Sequence, residues 1–374
     1  MRHVLRQKLT HPALYRLWIT LLSLLLLPAM LIERLFFPIE NSWSWQFSAA
    51  RRGRALAGLQ PFDLIYSTGG AVAAHLAARR LQRQLGIPWL AEVHDPFVHP
   101  GTVPTTRRQR FFAGVETLIC QHANAAIWFT QQALDSARRR NPELGERGHV
   151  MLPGVDSPFT ASWPYTPGPR LVMGHFGSLS STRTLKPLMH AWHWLAQHEP
   201  EVSRDLELHI FGGTLDHTST QLAEQWGLHD RIRPFGRIET DPATGESGRS
   251  QVLKRMRQCD VLLLVHGEDA ICEEYIPSKV YEYLWMQRPI LATVHDNPQM
   301  AEILRGQGHW VAQSSLREGG SELAAPEMVR HLKALWEAWR THGLPDSGKM
   351  SPYTTQASTS QLMGWAGTMG VDST

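Results

Sequence analysis

The stretch Glu274-Tyr275-Ile276-Pro277-Ser278-Lys279-Val280-Tyr281-Glu282 runs directly into Tyr283-Leu284-Trp285-Met286-Gln287-Arg288-Pro289-Ile290-Leu291-Ala292. Read in order, it is a loop, a helix start, an apolar helical stripe and an apolar strand. Pro277 suits a first helical turn because its missing N–H would have no partner there, and Ser278 beside it is a capping residue type. Val280, Tyr281, Leu284 and Trp285 recur at helical spacing. The free N–H groups and positive dipole end over Pro277, Ser278 and Lys279 make a potential anion site, to which Lys279 adds a full charge. Glu274 falls in the loop and Glu282 about one turn into the helix. Two readings stay open on these residues alone: a ligand site with a carboxylate at either end, or a capped surface helix with two solvated glutamates.

Working outward, the chain alternates strands and helices. Phe62–Ser67 reads as a strand, Thr68-Gly69-Gly70 as a βα turn, Ala71–Leu85 as a helix and Trp89–Val93 as the next strand, which is one βαβ crossover. His94-Asp95-Pro96 follows at the carboxyl end, where open α/β sheets place ligands. A helix over Arg107–His122, a strand over Ala125–Thr130 and a helix over Gln131–Arg140 continue the pattern. Pro153, Pro158, Pro164, Pro167 and Pro169, with Gly154 and Gly168, then mark a domain boundary. A second alternating set has strands at Leu171–Phe176, Leu206–Phe211, Ile232–Phe235, Val261–Val265 and Ile290–Val294, and its helices end with Pro326–Thr341. The predicted organisation is an apolar segment over 1–40, a first α/β domain over 41–165, a second over 166–340 and a tail of unassigned structure over 341–374. Gly174-His175-Phe176-Gly177 does not make a dinucleotide fingerprint, and neither does Thr68-Gly69-Gly70.

Composition excludes several classes. The chain of 374 residues is 43% hydrophobic and 19% charged, with a net charge of +3, so it is globular and able to bury two cores. No basic run with interleaved aromatics supports nucleic-acid binding. Cys120, Cys259 and Cys272 lack metal spacing, and no metal is expected. Leu17–Ile32 carries no charge over 16 residues, and its basic flank comprises Arg2, Arg6, Lys8 and Arg16. As a helix it would span roughly 24 Å against a bilayer core of about 30 Å. Pro28 weakens it further, and an interfacial helix fits it better than a signal peptide. The expectation is a cytoplasmic protein peripherally associated with the inner membrane, with a single-pass N-terminal anchor as the alternative.

Two α/β domains joined by a proline-rich linker, with E-x7-E at Glu274 and Glu282, resemble the GT-B glycosyltransferases of retaining family 4. Ile276-Pro277-Ser278-Lys279-Val280-Tyr281-Glu282-Tyr283-Leu284 is similar to the branch written PSKxxEYL. Gly177-Ser178-Leu179 with Arg183, Phe211-Gly212-Gly213 and Phe235-Gly236-Arg237 resemble that family's loops in the expected order. In the first domain, Asp63–Gly69 and Trp89–Phe97 look like acceptor-side segments. The resemblance implies a GT-B fold of two Rossmann-like domains facing across a cleft. It also implies a metal-independent hexosyltransferase that retains configuration and takes a nucleotide diphosphate sugar as donor, with no cofactor. The partners implied are that donor, a lipid-linked or glycan acceptor and a membrane surface, in polysaccharide or glycolipid assembly. Gly177, Arg183, Gly212, Ser278 and Lys279 would hold the diphosphate, Glu282 the ribose hydroxyls and Glu274 the sugar hydroxyls. His94, Asp95 and Glu274 would line the reacting centre. The chain departs from the family in opening on the apolar segment instead of a strand and glycine-rich loop, so the first domain reads as shortened, and in having Ser178 where a basic residue is usual. Alternatives on the same architecture are a nucleotide-sugar epimerase and a binding protein that has lost catalysis.

Overall fold

A computed structural model describes residues 12–36, 43–158 and 165–369. Arg2, Arg6 and Lys8 of the basic start, Pro164 of the linker and residues 370–374 lie outside the described residues.

The first half begins with helices α1 (Pro12–Phe36) and α2 (Trp45–Ala57). Strands β1 (Ile65–Thr68), β2 (Trp89–Val93), β3 (Ala125–Trp128) and β4 (Gly148–Val150) then alternate with α3 (Val72–Leu85), α4 (Arg107–His122) and α5 (Gln131–Arg140). The four strands are parallel and lie in the order β1-β2-β3-β4. Right-handed crossovers that always step the same way put all three helices on one face. Val72 and Ala78 of α3, Val115 and Ile119 of α4, and Ala133 and Leu134 of α5 accordingly share one core with Trp89, Ala91 and Trp128.

The second half comprises β5 (Leu171–Phe176), α6 (Lys186–His198), α7 (Pro200–Asp205), β6 (Leu206–Phe211), α8 (His217–Gln225) and β7 (Ile232–Gly236). It continues with α9 (Gly248–Gln258), β8 (Val261–Val265), α10 (Lys279–Trp285), β9 (Ile290–His295), α11 (Pro298–Gly306), β10 (Trp310–Ser314) and α12 (Ala325–His342). Its sheet is parallel throughout, in the order β10-β9-β8-β5-β6-β7. Winding starts at β5, proceeds outward to β7, then returns to β8 on the other side, so the order reverses between β5 and β8. Cores fill both faces: Leu171, Met189, Trp192 and Leu332 on one, Phe176, Met256, Tyr283 and Ile303 on the other. Strands covered on both sides read as the continuous apolar runs seen in Val261–Val265 and Ile290–Val294.

The segment 341–374 is not merely a tail. It contains α13 (Thr355–Thr368), which crosses back to the first half. Leu362 and Trp365 of α13, with Met369, pack on Leu90, Ala125 and Ile127, covering the sheet face that has no crossover helix. The strap is tied to the linker, where the Val155 N–H donates to the Tyr353 carbonyl at 3.0 Å and the Trp285 indole to the Val155 carbonyl at 2.7 Å.

The N-terminal helix exposes many of its apolar side chains, with Leu25 at 76% and Trp18 at 50%. Among the described residues no helix is long and apolar enough to cross a membrane. Helix α2 packs on α3: Arg80 lies 4.5 Å from the Phe47 ring and donates to Gln46 at 3.0 Å.

Candidate active site

The reversal between β5 and β8 opens a crevice at the carboxyl ends of those strands, the position where doubly wound sheets bind ligands. Two glycines make its floor. Gly177 follows β5 with φ +145° and Gly212 follows β6 with φ +101°, and a Cβ on Gly212 would meet the Gly177 carbonyl at 3.3 Å. The backbone conformation disfavours a side chain at both, and at Gly212 the space is tight as well. The Gly177 N–H donates to Phe211 and the Gly212 N–H to Gly236, which aligns the three turns.

The loop after β5 closes on itself through paired hydrogen bonds between Ser180 and Arg183. It is fastened across the crevice, since the Glu268 N–H donates to the Thr182 carbonyl and the Thr182 hydroxyl to Asp269 at 2.8 Å. Arg183 is thereby held inward, and its Nε is buried with no hydrogen-bond partner. Across the crevice, Lys279 lies 3.0 Å from Glu282, whose other oxygen pairs with Arg249 at the start of α9. The predicted ribose acceptor thus carries two cations already.

The helix start differs in detail from the reading above. Ser278 takes the cap position in a helical conformation and makes no side-chain cap bond, because the Val280 N–H reaches Pro277 and the Glu282 N–H reaches Ser278 through backbone carbonyls. Pro277 precedes the helix instead of opening it, and α10 has only 7 residues.

Glu274 also differs. It ends a 3-10 turn (Ala270–Glu274) and is 4% exposed, not in an open loop. Its carbonyl accepts from Thr130 of the first half at 2.8 Å, and its carboxyl lines a junction cavity of about 610 Å³ with Ser136, Arg139, Arg140 and Arg317. Burial raises its pKa, and Ser136 and Arg140 oppose this in part. The turn is locked from behind: His266 donates to the Tyr275 carbonyl at 3.3 Å while accepting from the His295 N–H, and Asn297 donates to Cys272 and Tyr275. Both His266 nitrogens are used, and burial pushes its pKa down to about 4.

From the first half, Asp95 lines a cavity of about 510 Å³ with Phe97, Val98, Arg108 and Phe112, closed on the far side by Ile271. Tyr275 links the halves electrostatically: burial raises its pKa, Asp95 adds to the shift and Arg183 opposes it. His94 turns away from that cavity. Its Nε2 lies 2.5 Å from Glu92 and 2.9 Å from Thr68, and its ring stacks on Phe129 at 4.6 Å. Burial alone would raise the Glu92 pKa, but hydrogen bonds from His94, Tyr66 and Thr68 outweigh it and hold the carboxylate low. The structure therefore brings Gly177, Arg183 and Gly212 to one crevice, sets Lys279 and Glu282 on its helix, and splits His94 from Asp95.

Residues 20–154 match the family described as "Glycosyl transferase 4-like domain". Sucrose-phosphate synthase from Thermosynechococcus elongatus superposes with a TM-score of 0.59 at 14% identity, covering 88% of this chain and 79% of that one. The α,α-trehalose 6-phosphate synthase of Burkholderia multivorans gives 0.55 at 12% identity, over 87% and 76%. The fold is GT-B. An α,α-trehalose-phosphate synthase (UDP-forming) from Burkholderia xenovorans, solved in complex with glucose-6-phosphate, gives 0.53 at 12% identity, over 86% and 77%. No curated protein matches the chain by sequence.

Sequence reasoning missed Arg249, His175 and the Glu92–Tyr66–Thr68 network. His175 had a signal, a lone histidine in the apolar strand Leu171–Phe176. Arg249 and the network had none, their partners lying 24 to 33 residues away.

Proposed function

We propose that the protein is a retaining, metal-independent glycosyltransferase that moves a sugar from a nucleotide diphosphate sugar to an acceptor hydroxyl at a membrane surface. The observation that carries the reading is Arg183, on the loop that follows the Gly177 turn at the switch point, with its Nε buried and unsatisfied. A diphosphate is the ligand that such a floor and guanidinium fit. Departure of the nucleotide diphosphate builds negative charge on its oxygens, and Arg183 with Lys279 stabilises that charge more strongly in the transition state than in the ground state.

Glu282, steadied by Lys279 and Arg249, accepts the ribose hydroxyls. Glu274, at the junction cavity, accepts hydroxyls of the transferred sugar. The acceptor enters the cavity beside Asp95, and its proton passes to the departing phosphate, as the family resemblance implies. The exposed apolar length of α1 lies on the membrane interface, on its cytoplasmic side, and brings the enzyme to a lipid-linked acceptor of polysaccharide or glycolipid assembly.

The test is release of nucleoside diphosphate from a panel of UDP-, GDP- and ADP-sugars in the presence of extracted membrane lipids. Turnover that depends on lipid extract and yields a glycoside is expected. Release of free or epimerised sugar without acceptor, or no release with any donor, would refute the proposal.

A further inference from the structure

We infer that His175 donates a hydrogen bond to a phosphate oxygen of the donor's diphosphate, as a third ligand beside Arg183 and Lys279. This rests on the donor reading above. His175 is the penultimate residue of β5 and lies in register with Leu263 of β8, so it stands at the strand-order reversal itself. It is 5% exposed, and neither ring nitrogen makes a hydrogen bond of good geometry, the Leu263 backbone being an acceptor near enough to compete for the ring N–H. Other buried histidines nearby are satisfied: His266 uses both nitrogens, and His295 is 2.7 Å from the Ser314 hydroxyl.

A polar group left unpaired in a core costs stability, so one retained at a crevice points to a partner that arrives with the ligand. Its surroundings say what that partner is. The ring Nε2 is 3.9 Å from where a Gly177 Cβ would be, and the charges that bear on it are Arg183, Lys279 and Asp216. Asp216 is already committed, accepting N–H bonds from Leu185 at 3.1 Å and Ser219 at 2.9 Å. Burial first, then Arg183 and Lys279, push the His175 pKa down to about 4. At neutral pH the ring therefore offers one N–H without adding a third desolvated charge to the site.

The experiment titrates wild type, His175→Leu and His175→Gln with UDP, GDP, ADP, inorganic pyrophosphate and the parent nucleosides, alongside melting curves. His175→Leu should lose about 10- to 100-fold in affinity for nucleoside diphosphate and pyrophosphate, the range for a hydrogen bond to a charged acceptor, and little for nucleoside. It should melt no lower than wild type, because it removes an unsatisfied polar group. His175→Gln, which restores a donor, should regain most of the affinity. Equal diphosphate affinity in His175→Leu, parallel loss of nucleoside and diphosphate, or a lower melting temperature without rescue by glutamine would each overturn the inference. If wild type binds nucleoside diphosphate and His175→Leu matches it, this inference alone falls. If wild type binds none, the donor reading falls and takes the inference with it.

Discussion

The C-terminal sheet reverses its strand order between β5 and β8 while the N-terminal sheet steps always in one direction, and the two halves place their polar groups by different means. Reversal gives the C-terminal half a crevice from topology alone, so its ligand groups can be backbone turns at Gly177 and Gly212 with a few inward side chains. The N-terminal half has no such crevice. It displays a polar network on a sheet face that α13 covers over β2 and β3, and Tyr66 on β1 is 43% exposed. Glu92 must there be held by three hydrogen bonds from side chains. Topology builds the candidate site in one half, and cross-strand side-chain pairing builds the polar network in the other.

The largest expected effect breaks the comparison on the C-terminal side. Arg183→Ala should weaken nucleoside diphosphate binding about a hundredfold, as loss of a charge-assisted contact does, and leave the melting temperature nearly unchanged. Calorimetric titration checks the first and a thermal melt the second. On the other side, Trp365→Ala removes the ring that stacks on His149 at 4.8 Å and packs on the sheet face that has no crossover helix. It should cost about 2 kcal/mol, with faster amide exchange in β2 and β3 and not in β5 or β8. Glu92→Gln should cost about 1.5 kcal/mol through weakened hydrogen bonds from Tyr66, Thr68 and His94, while nucleotide affinity stays within about twofold.

The smallest effect concerns pH. His175, His266 and His309, all in the C-terminal half, are pushed down to about 4 from 6.5, chiefly by burial. The unfolded chain therefore binds more protons than the folded one between those values, and stability falls as pH falls through that window. His175→Leu should recover about 1 kcal/mol of the loss between about pH 7 and about pH 5.5, read from denaturant midpoints. Glu92 adds nothing to that loss above 4.5. Its carboxylate is held low, so its contribution is present above 4.5 and is lost only on further acidification.

The C-terminal half was the more legible one for the same reason that it carries a crevice. Val261–Val265, buried on both faces, is a continuous apolar run, and it, Leu171–Phe176 and Leu206–Phe211 were readable to the residue. Trp310–Ser314 escaped because it is an edge strand of mixed polarity, and Gly148–Val150 because it has only 3 residues. Helix α13 is rich in Ser, Thr and Gly, and its place is set by Leu362 and Trp365 meeting a distant sheet, which no local pattern records. At the site, the glycine turns and Arg183 were visible as motif residues, whereas the burial of Glu274 against Thr130 and the pairing of Glu282 with Arg249 are tertiary facts. His94 and Asp95 adjoin in sequence yet point to different places, because successive residues leaving a strand face opposite sides.

The most direct test of the central claim, that the β5–β8 crevice is a nucleotide-sugar donor site, is calorimetric titration of UDP, GDP and ADP into wild type, Lys279→Ala and Glu282→Ala. The account predicts that wild type binds at least one nucleoside diphosphate and that each variant binds it at least about tenfold more weakly, Lys279→Ala through the phosphates and Glu282→Ala through the ribose. Binding of none of the three, or variants that bind as wild type does, would contradict it.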